Sequence, residues 1–223
     1  MFVVDCLVAG CASCLSFTIV ALLINYLMGE YKHPKFDWKA YLIQLYRSLF
    51  ELVIGVVPLE GLKVLLPGIM YKNPLEHGFF YLLVTPFLYV LMFDTGSYWT
   101  HRAFHSRFLY SHFHSLHHQY QPVMTAAAAA NSIVDSLIGG GIPLWSPLFV
   151  LYGFGHGIPE ISFQIALTFL MFSLTYIHAV TGHKLSKHNI LVDNHDHLTH
   201  HARSRCNYGT VFRFWDWICG TGA

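Results

Sequence analysis

The chain has 223 residues, of which 54% are hydrophobic, 16% aromatic and only 11% charged. Soluble domains usually carry about 25% charged residues, so this composition predicts a protein embedded in a membrane. The formal net charge is +1, which gives no basis for binding nucleic acid or another polyanion.

The first hydrophobic segment, residues 2–28, has Asp5 as its only charged residue. It is long enough to cross a bilayer, which takes about 20 apolar residues. A cleaved signal peptide is the competing interpretation, but no basic region precedes the segment and the apolar run continues past any cleavage point. We therefore expect a true membrane span.

The next two segments differ in how clearly their composition predicts a membrane span. Residues 41–66 contain several charged side chains and Pro58, so we expect this segment to lie partly in the membrane interface. Residues 79–99 are predicted to span the membrane and lead directly into His101. This join places the first histidines at a membrane surface.

The last two hydrophobic segments lie in the C-terminal half. Residues 133–154 contain three consecutive glycines, Pro143 and Pro147, which favour a broken helix or a re-entrant hairpin. Residues 158–177 are uninterrupted and end at His178. We predict an all-α polytopic membrane protein with four or five hydrophobic helices and a histidine-rich helical cap.

The histidines are grouped rather than scattered, because thirteen of the sixteen lie within residues 101–118 and 178–201. Positions i, i+3 and i+4 share one face of a helix. Three groups follow this spacing: His101 and His105; His114, His117 and His118; and His197, His200 and His201. Three such groups can surround a pair of metal ions. Imidazole suits iron, zinc, copper and nickel, and the lack of an accompanying thiolate group disfavours a structural zinc site.

The distribution of basic residues predicts the orientation of the cap. Lysines follow the first span, and arginines and lysines flank the histidine groups. Cytoplasmic loops are enriched in these residues. The cap is therefore predicted to be cytosolic, provided that the second segment crosses the membrane and the fourth returns or stays on its side.

Several motifs of this chain resemble the sterol desaturase and fatty acid hydroxylase superfamily. They are the three histidine groups, the Tyr-Trp-Thr-His-Arg stretch at 98–102, Leu109-Tyr110, Asn207-Tyr208-Gly209, Trp215-Asp216 and Gly220-Thr221. The resemblance implies a membrane-bound, non-haem di-iron oxidoreductase that uses dioxygen to hydroxylate or desaturate a lipid. It covers residues 79–223, the catalytic domain, and leaves 1–78 as N-terminal membrane helices.

The resemblance also implies a set of site residues. Carried over by position, the metal ligands are His101, His105, His114, His117, His118, His178, His183, His197, His200 and His201. One further family position falls on His183 rather than on His178, because i to i+5 spacing does not align the two on one helical face. Carboxylates and other polar groups usually orient metal-bound histidines; the candidates are Asp94, His112, Asp193, His195 and Asp196, with capping or surface charge as the alternative for the acids.

One stretch departs from the superfamily's pattern. Many members carry a His-Pro-x-Glu motif after the second histidine group, whereas residues 132–135 read Ser-Ile-Val-Asp, so only the carboxylate of Asp135 remains. From the residues that follow Gly220-Thr221 we expect neither a fused haem domain nor a basic retention tail. We expect electrons from NAD(P)H through a separate donor, cytochrome b5 or an equivalent, at the endoplasmic reticulum.

The substrate is less specified than the metal site, because selectivity depends on the shape of an apolar pocket. The Asn-Tyr-Gly and Trp-Asp motifs favour a sterol or methylsterol. Hydroxylation of a fatty acyl chain or sphingolipid and a pterin-dependent ether-lipid monooxygenase are alternatives. A histidine-rich metal transporter is the alternative of another class, but it would place its ligands near the middle of its spans, whereas these histidines follow the ends of spans.

Overall fold

The computed structural model describes residues 2–185 and 189–223, and the regular structure of these residues is almost entirely helical. In chain order the elements are α1 (Phe2–Leu27), α2 (Trp38–Leu65), β1 (Met70–Tyr71), α3 (Phe79–Phe104), α4 (Arg107–Leu109), α5 (Ser115–His118), α6 (Gly141–Gly153), β2 (Ile158–Pro159), α7 (Glu160–Ile177), α8 (Asn194–Arg203) and α9 (Phe214–Cys219). Short 3-10 turns lie at Glu30–Lys32 and Thr125–Ala127, and π-helical turns lie at Tyr110–His114 and Asp135–Gly140.

Four helices are long and apolar enough to cross a membrane: Phe2–Leu27, Phe79–Phe104, Asp135–Gly153 and Glu160–Ile177. This confirms the prediction of an all-α polytopic membrane protein with at least four hydrophobic helices. The second predicted segment forms α2, a continuous helix of 28 residues with Pro58 inside it. At 1.5 Å per residue it is about 42 Å long, which is more than a hydrocarbon core requires.

The five long helices run in alternating directions. Residues just after α1 and α7 meet, because the Val180 N–H donates to the Glu30 carboxylate at 2.9 Å. At the opposite end of the bundle, β1 and β2 form a two-stranded parallel sheet in which Met70 pairs with Ile158. The ends of α1, α3 and α7 and the start of α2 therefore lie on the side that carries the histidines, and α2 runs away from that side.

The fourth hydrophobic segment differs from its prediction. Residues 135–153 form one helical path, a π-helical turn that leads into α6, rather than a broken helix or a hairpin. Two of its glycines allow close packing instead of breaking the helix. A Cβ atom at Gly139 would lie 2.3 Å from Asp135 Oδ1, and one at Gly141 would lie 2.8 Å from the Trp145 ring.

Three polar residues of the N-terminal part, Glu30, Gln44 and Ser48, anchor the segment that follows the second histidine group. The Glu30 carboxylate accepts from the backbone N–H and the hydroxyl of Thr125. Gln44 donates to the carbonyl of Pro122 at 2.8 Å, and Ser48 donates to that of Ala126 at 2.6 Å. We call these residues the anchor triad, because they hold a segment whose only regular structure is a short 3-10 turn and whose backbone groups would otherwise lack partners.

Candidate metal centre

Four helical elements supply the histidines of the cap. His101 lies in the last turn of α3 and His105 follows its end. The helical stretch 107–118 carries the second group, His178 follows α7, and α8 carries the third group. Helix α8 begins where the Asp193 side chain accepts from the backbone N–H of Asp196 at 2.8 Å, a typical N-terminal cap.

The structure brings these histidines together in two clusters, each with all ligand nitrogens within 4.8 Å of one another. We define the first cluster as His101, His105, His114, His118 and His200, and the second cluster as His117, His178, His197 and His201. The two clusters adjoin, since the ring centroids of His118 and His201 are 4.5 Å apart. Each cluster takes residues from at least three elements, which explains why no single stretch of sequence contains a complete site.

The nitrogen atoms of both clusters fit metal binding. In the first cluster, the buried Nε2 atoms of His105, His114 and His200 have no hydrogen-bond partner. In the second cluster, Nε2 of His197 lies 3.0 Å from that of His178 and 3.2 Å from that of His201. Nitrogens bound about 2.1 Å from one ion lie about 3.0–3.4 Å apart. The spacing is therefore that of ligands around one cation.

Backbone carbonyls fix the tautomer of several rings. The Nδ1 atom of His101 lies 3.0 Å from the Tyr208 carbonyl oxygen, and that of His200 lies 2.8 Å from the Cys206 carbonyl oxygen. The Nδ1 atom of His178 lies 2.6 Å from the carbonyl oxygen of Leu174. A carbonyl only accepts, so Nδ1 carries the proton in each ring and Nε2 keeps a free lone pair for a metal.

Electrostatics also favours metal binding. Burial lowers the pKa of His105 to about 2, that of His118 to about 3 and that of His178 to about 4. Burial and the neighbouring rings also hold the pKa values of His197 and His200 well below their usual range. These imidazoles are therefore neutral at physiological pH, and neutral imidazole is the form that binds a metal.

Three of the predicted histidines, His112, His183 and His195, lie outside both clusters. His183 is exposed, and its carbonyl accepts from the backbone N–H of His195 at 3.3 Å. His112 is also exposed, and its Nδ1 lies 2.8 Å from the carbonyl oxygen of Phe108 in the preceding turn. The structure thus places His178 rather than His183 among the clustered rings. The other nine predicted ligands all belong to one of the two clusters.

The predicted acidic residues contact groups other than the clustered rings. Asp94 accepts from the backbone N–H groups of Val211 and Phe212 at 2.9 and 3.2 Å. These hydrogen bonds anchor the C-terminal segment to α3. Asp94 does not contact His101, because two turns of helix separate the two residues.

Asp193 and Asp196 pair with the same arginine. Asp193 accepts from Arg213 Nη2 at 2.7 Å, and Asp196 accepts from Arg213 Nε at 2.5 Å. His195 lies with these two carboxylates in a third group of possible ligand atoms, separate from the two clusters. Through Arg213 these acids fix the position of the start of α8, and they do not contact an individual histidine ring of either cluster.

The carboxylate that contacts a clustered ring is Asp135, which was absent from the predicted site. Its Oδ2 lies 2.6 Å from Nδ1 of His114, and both side chains are buried. The only signal in the sequence was the carboxylate retained at the end of residues 132–135, a stretch that lacks the histidine of the superfamily's motif.

The sequence motifs of the C-terminal tail are joined by hydrogen bonds to one acid, Asp216. Asp216 accepts from the backbone N–H groups of Tyr208 and Gly209 at 3.0 and 2.8 Å, and from the hydroxyl of Thr221 at 2.6 Å. The Tyr208 carbonyl in turn holds His101. The Asn-Tyr-Gly, Trp-Asp and Gly-Thr motifs therefore position a ring of the first cluster.

An apolar cavity lies among the long helices next to the clusters. It encloses about 1120 Å³, its open mouth included, and residues of α1, α2, α3, α6 and α7 line it. Its lining reaches Ala129 and Asn131, which flank Ala130, and the Ala130 carbonyl oxygen lies 3.4 Å from Nδ1 of His117. The cavity therefore lies beside the segment that contacts His117, although none of the described histidines lines it.

Comparisons with known proteins fit this geometry. A model of the fatty acid hydroxylase family matches residues 86–221. The C-4 methylsterol oxidase erg25 of Schizosaccharomyces pombe is 31% identical over 140 residues, which cover 60% of this chain and 45% of that protein. The Delta(7)-sterol 5(6)-desaturase ERG3B of Gibberella zeae is 24% identical over 221 residues, which cover 94% of this chain and 65% of that protein.

A third relative is named for a different substrate, an aldehyde rather than a sterol. The very-long-chain aldehyde decarbonylase GL1-11 of Oryza sativa subsp. japonica is 28% identical over 186 residues, which cover 79% of this chain and 65% of that protein. The chain thus spans between 45% and 65% of the length of these relatives. No solved structure matches the chain.

Proposed function

Because the chain belongs to the fatty acid hydroxylase family, we propose that it is a membrane-bound oxidoreductase that uses two iron ions and dioxygen to hydroxylate or desaturate a lipid. The observation that carries this proposal is the pair of adjoining histidine clusters beside an apolar cavity. Nine clustered imidazoles, seven of them buried, are more than a structural site requires, and the apolar cavity could hold a lipid substrate.

The histidines of the first cluster would hold one iron ion and those of the second cluster the other. When bound, the iron pair supplies the electrons and the oxidising power with which dioxygen attacks an unactivated C–H bond. The chain's own residues hold the ligands in place: the Tyr208, Leu174 and Cys206 carbonyls keep three rings in one tautomer, and Asp135 holds His114.

The substrate would enter from the bilayer and lie along the apolar cavity with its reacting carbon toward the histidines. A sterol or methylsterol is the substrate class that we favour, because two of the relatives named above are sterol enzymes by name. The fourth segment forms part of the cavity wall, since Gly140, Gly141, Leu144 and Trp145 line it.

Electrons would come from NAD(P)H through a separate donor, cytochrome b5 or an equivalent, and the protein would lie in the endoplasmic reticulum membrane with the clusters facing the cytosol. The alternating helix directions support this orientation, because they put the lysines after α1 on the same side as the arginines around the clusters. A metal transporter is disfavoured, since both clusters lie at the ends of the spans rather than near their middle.

Lipid mass spectrometry tests the proposal. Membranes that contain the wild type, or a His117→Ala, His118→Ala double variant, are supplied with NAD(P)H, cytochrome b5, its reductase and ¹⁸O-labelled dioxygen. We expect an ¹⁸O-labelled lipid, or a lipid two hydrogens lighter, with the wild type alone. His112→Ala is the matched control, because it removes an exposed imidazole outside both clusters. Equal product from wild type and double variant would overturn the proposal.

A further inference from the structure

Helix α9 carries an apolar face that the described part of the chain leaves exposed. Phe214, Trp217 and Ile218 are 47%, 50% and 61% exposed. They follow i, i+3 and i+4 spacing, so they lie on one side of the helix. Asp216, on the other side, is buried. The face is therefore an ordered feature of the fold rather than a set of scattered surface residues.

Contacts with α3 fix the depth of α9 relative to the membrane-spanning helices. Trp215 Nε1 donates to the Thr95 hydroxyl at 3.2 Å, and the ring centroids of Trp215 and Trp99 are 5.5 Å apart. At 1.5 Å per residue, Thr95 and Trp99 lie about 24 and 30 Å along α3 from its first residue, Phe79. The hydrocarbon core of a bilayer is about 30 Å thick. Helix α9 therefore lies at the level where a span that begins at Phe79 leaves the hydrocarbon core.

The segment that leads into α9 reaches deeper along α3. The Asp94 carboxylate accepts from the backbone N–H groups of Val211 and Phe212. The Val211 side chain belongs to the same core cluster as Tyr89 and Val90 of α3. These contacts lie nearer the middle of the span than Trp99 does, so the chain has already entered the depth of the membrane before α9 begins.

The exposed face of α9 continues the lipid-facing surface of α3. Trp99, which contacts Trp215, is itself 46% exposed, and Leu91 two turns earlier is also exposed. The Arg102 guanidinium lies over the Trp99 ring, 5.7 Å from its centroid. Tryptophan and arginine side chains are typical of the boundary between acyl chains and headgroups. A bilayer that surrounds α3 would therefore also contact α9.

The border of α9 away from this face is polar. Trp217 also lines a pocket whose walls include Lys184, Asp196 and Arg213. Charged groups on one side and apolar residues on the other are typical of a helix that lies in the plane of a membrane interface. A partner protein in the aqueous phase would have to displace lipid headgroups to reach a face at this depth. Lipid is therefore the occupant that the geometry favours.

We propose that α9 lies in the interfacial layer of the bilayer, on the side that carries the histidine clusters, with Phe214, Trp217 and Ile218 among the upper parts of the phospholipid acyl chains. Helices of this kind bury their apolar face by about 5–10 Å. The inference goes beyond the proposed function and does not depend on it, because it rests on exposure and depth.

This position links the membrane to the first cluster. Asp216 of α9 accepts from the backbone N–H of Tyr208, and the Tyr208 carbonyl oxygen lies 3.0 Å from Nδ1 of His101. Lipid that holds α9 in place thus also holds the loop that orients His101.

Tryptophan fluorescence of the full chain in phosphatidylcholine nanodiscs tests the position of α9. The contribution of Trp217 is the emission of the wild type minus that of Trp217→Phe, a substitution that keeps an aromatic ring. One quencher is phosphatidylcholine brominated near the headgroup end of one acyl chain, which acts by contact within the bilayer, and the other is iodide, which acts from water. We expect the brominated lipid to lower the Trp217 contribution by about half or more and iodide to lower it by less than about a tenth, because the ring lies below the headgroups.

Two further variants, both made in the Trp217→Phe background, make the test specific. In Ile218→Trp the indole returns to the same face of α9, so the brominated lipid should quench it as it quenches Trp217. In His195→Trp the indole lies at an exposed position of α8, grouped with the carboxylates Asp193 and Asp196. We expect iodide, and not the brominated lipid, to quench this matched control.

The outcomes separate this inference from the proposed function. Stronger quenching of Trp217 by iodide than by brominated lipid would overturn the interfacial position. Protection from both quenchers would also overturn it, because protein would then cover the face. Quenching by brominated lipid with little effect of iodide supports the interfacial position even if no lipid is oxidised, in which case the oxidoreductase proposal is the one that fails.

Discussion

Asp135 Oδ2 lies 2.6 Å from Nδ1 of His114, across 21 residues of sequence. This contact leaves Nε2 of His114 unpartnered and directed at the other rings of the first cluster. Among the described residues, it is the only hydrogen bond between a carboxylate and a ring of either cluster.

Replacement of this carboxylate should weaken metal binding at the first cluster. Loss of an outer carboxylate typically costs 10-fold to 100-fold in metal affinity. We therefore expect Asp135→Asn to retain about half of the wild-type iron after dialysis against a chelator, measured by inductively coupled plasma mass spectrometry. Glu76→Gln, an exposed acid at the opposite end of the bundle, serves as control. Full iron retention in Asp135→Asn would contradict this role.

Gly139 offers a second route to the same contact. A Cβ atom there would lie 2.3 Å from Asp135 Oδ1, whereas no atom lies within 4 Å of a Cβ atom at Gly140. Gly139→Ala should displace the carboxylate and lower iron retention as Asp135→Asn does. Gly140→Ala is the matched control and should keep its iron. If both alanine variants retain iron equally, the Asp135 side chain has another position open to it.

Removal of single histidines should distinguish the two clusters. His200→Ala removes a ring of the first cluster and His197→Ala removes a ring of the second, so each should lower the iron content from about two to about one per chain. His183→Ala should leave the iron content unchanged, because this side chain is exposed and outside both clusters. Loss of iron in His183→Ala would show instead that the ligand set inferred from the superfamily applies to this residue.

Asp94 is expected to matter for stability rather than for metal binding. It accepts from two backbone N–H groups and from the hydroxyl of Thr210. Asp94→Asn should lower the free energy of unfolding by about 1–3 kcal/mol, the cost of buried donors left without a full acceptor. The thermal midpoint of the detergent-solubilised protein should fall, while the iron content at low temperature stays at the wild-type level. A proportional loss of iron with unchanged stability would favour a direct role at the metal site.

Glu30 should give the protein a measurable pH dependence. Burial raises the pKa of Glu30 above its ordinary value of 4.5, although Thr125, Val180 and Asn25 lower it by donating hydrogen bonds. A group whose pKa is raised by folding stabilises the protein below its unfolded pKa, and this contribution is lost as the pH rises through the folded pKa. The free energy of unfolding of the wild type, compared with that of Glu30→Gln at the same pH, should therefore fall as the pH rises from about 4.5. The measurement is denaturant unfolding of both proteins over a series of pH values. A difference that grows with pH would contradict the raised pKa.

The grouping of the histidines was predictable because it depends on local geometry. Residues at i, i+3 and i+4 share a face on any helix, and α8 carries His197, His200 and His201 as that rule requires. His178 was harder to assign than its neighbours. Its position depends on where α7 ends, at Ile177, and on the turn that follows, and neither follows from periodicity.

Contacts between distant segments could not be predicted in the same way. Asp94 shares a helical face with His101, but seven residues of helix separate them by about 10 Å, too far for a hydrogen bond. Asp135 is far from His114 in sequence, and its role depends on the packing of the π-helical turn against the cap. The glycines of the fourth segment suggested a break, whereas their small size serves close packing against Asp135 and Trp145.

The anchor triad limits how this protein can be rebuilt. Glu30, Gln44 and Ser48 hold the backbone of residues 122–129, and that segment ends beside Ala130, whose carbonyl contacts His117. A chimaera that joins residues 79–223 to the leading helices of another protein would leave these backbone groups without acceptors or donors. Recombination between such proteins therefore has to exchange matched halves, so that the first two helices stay with the segment 122–129 that they hold.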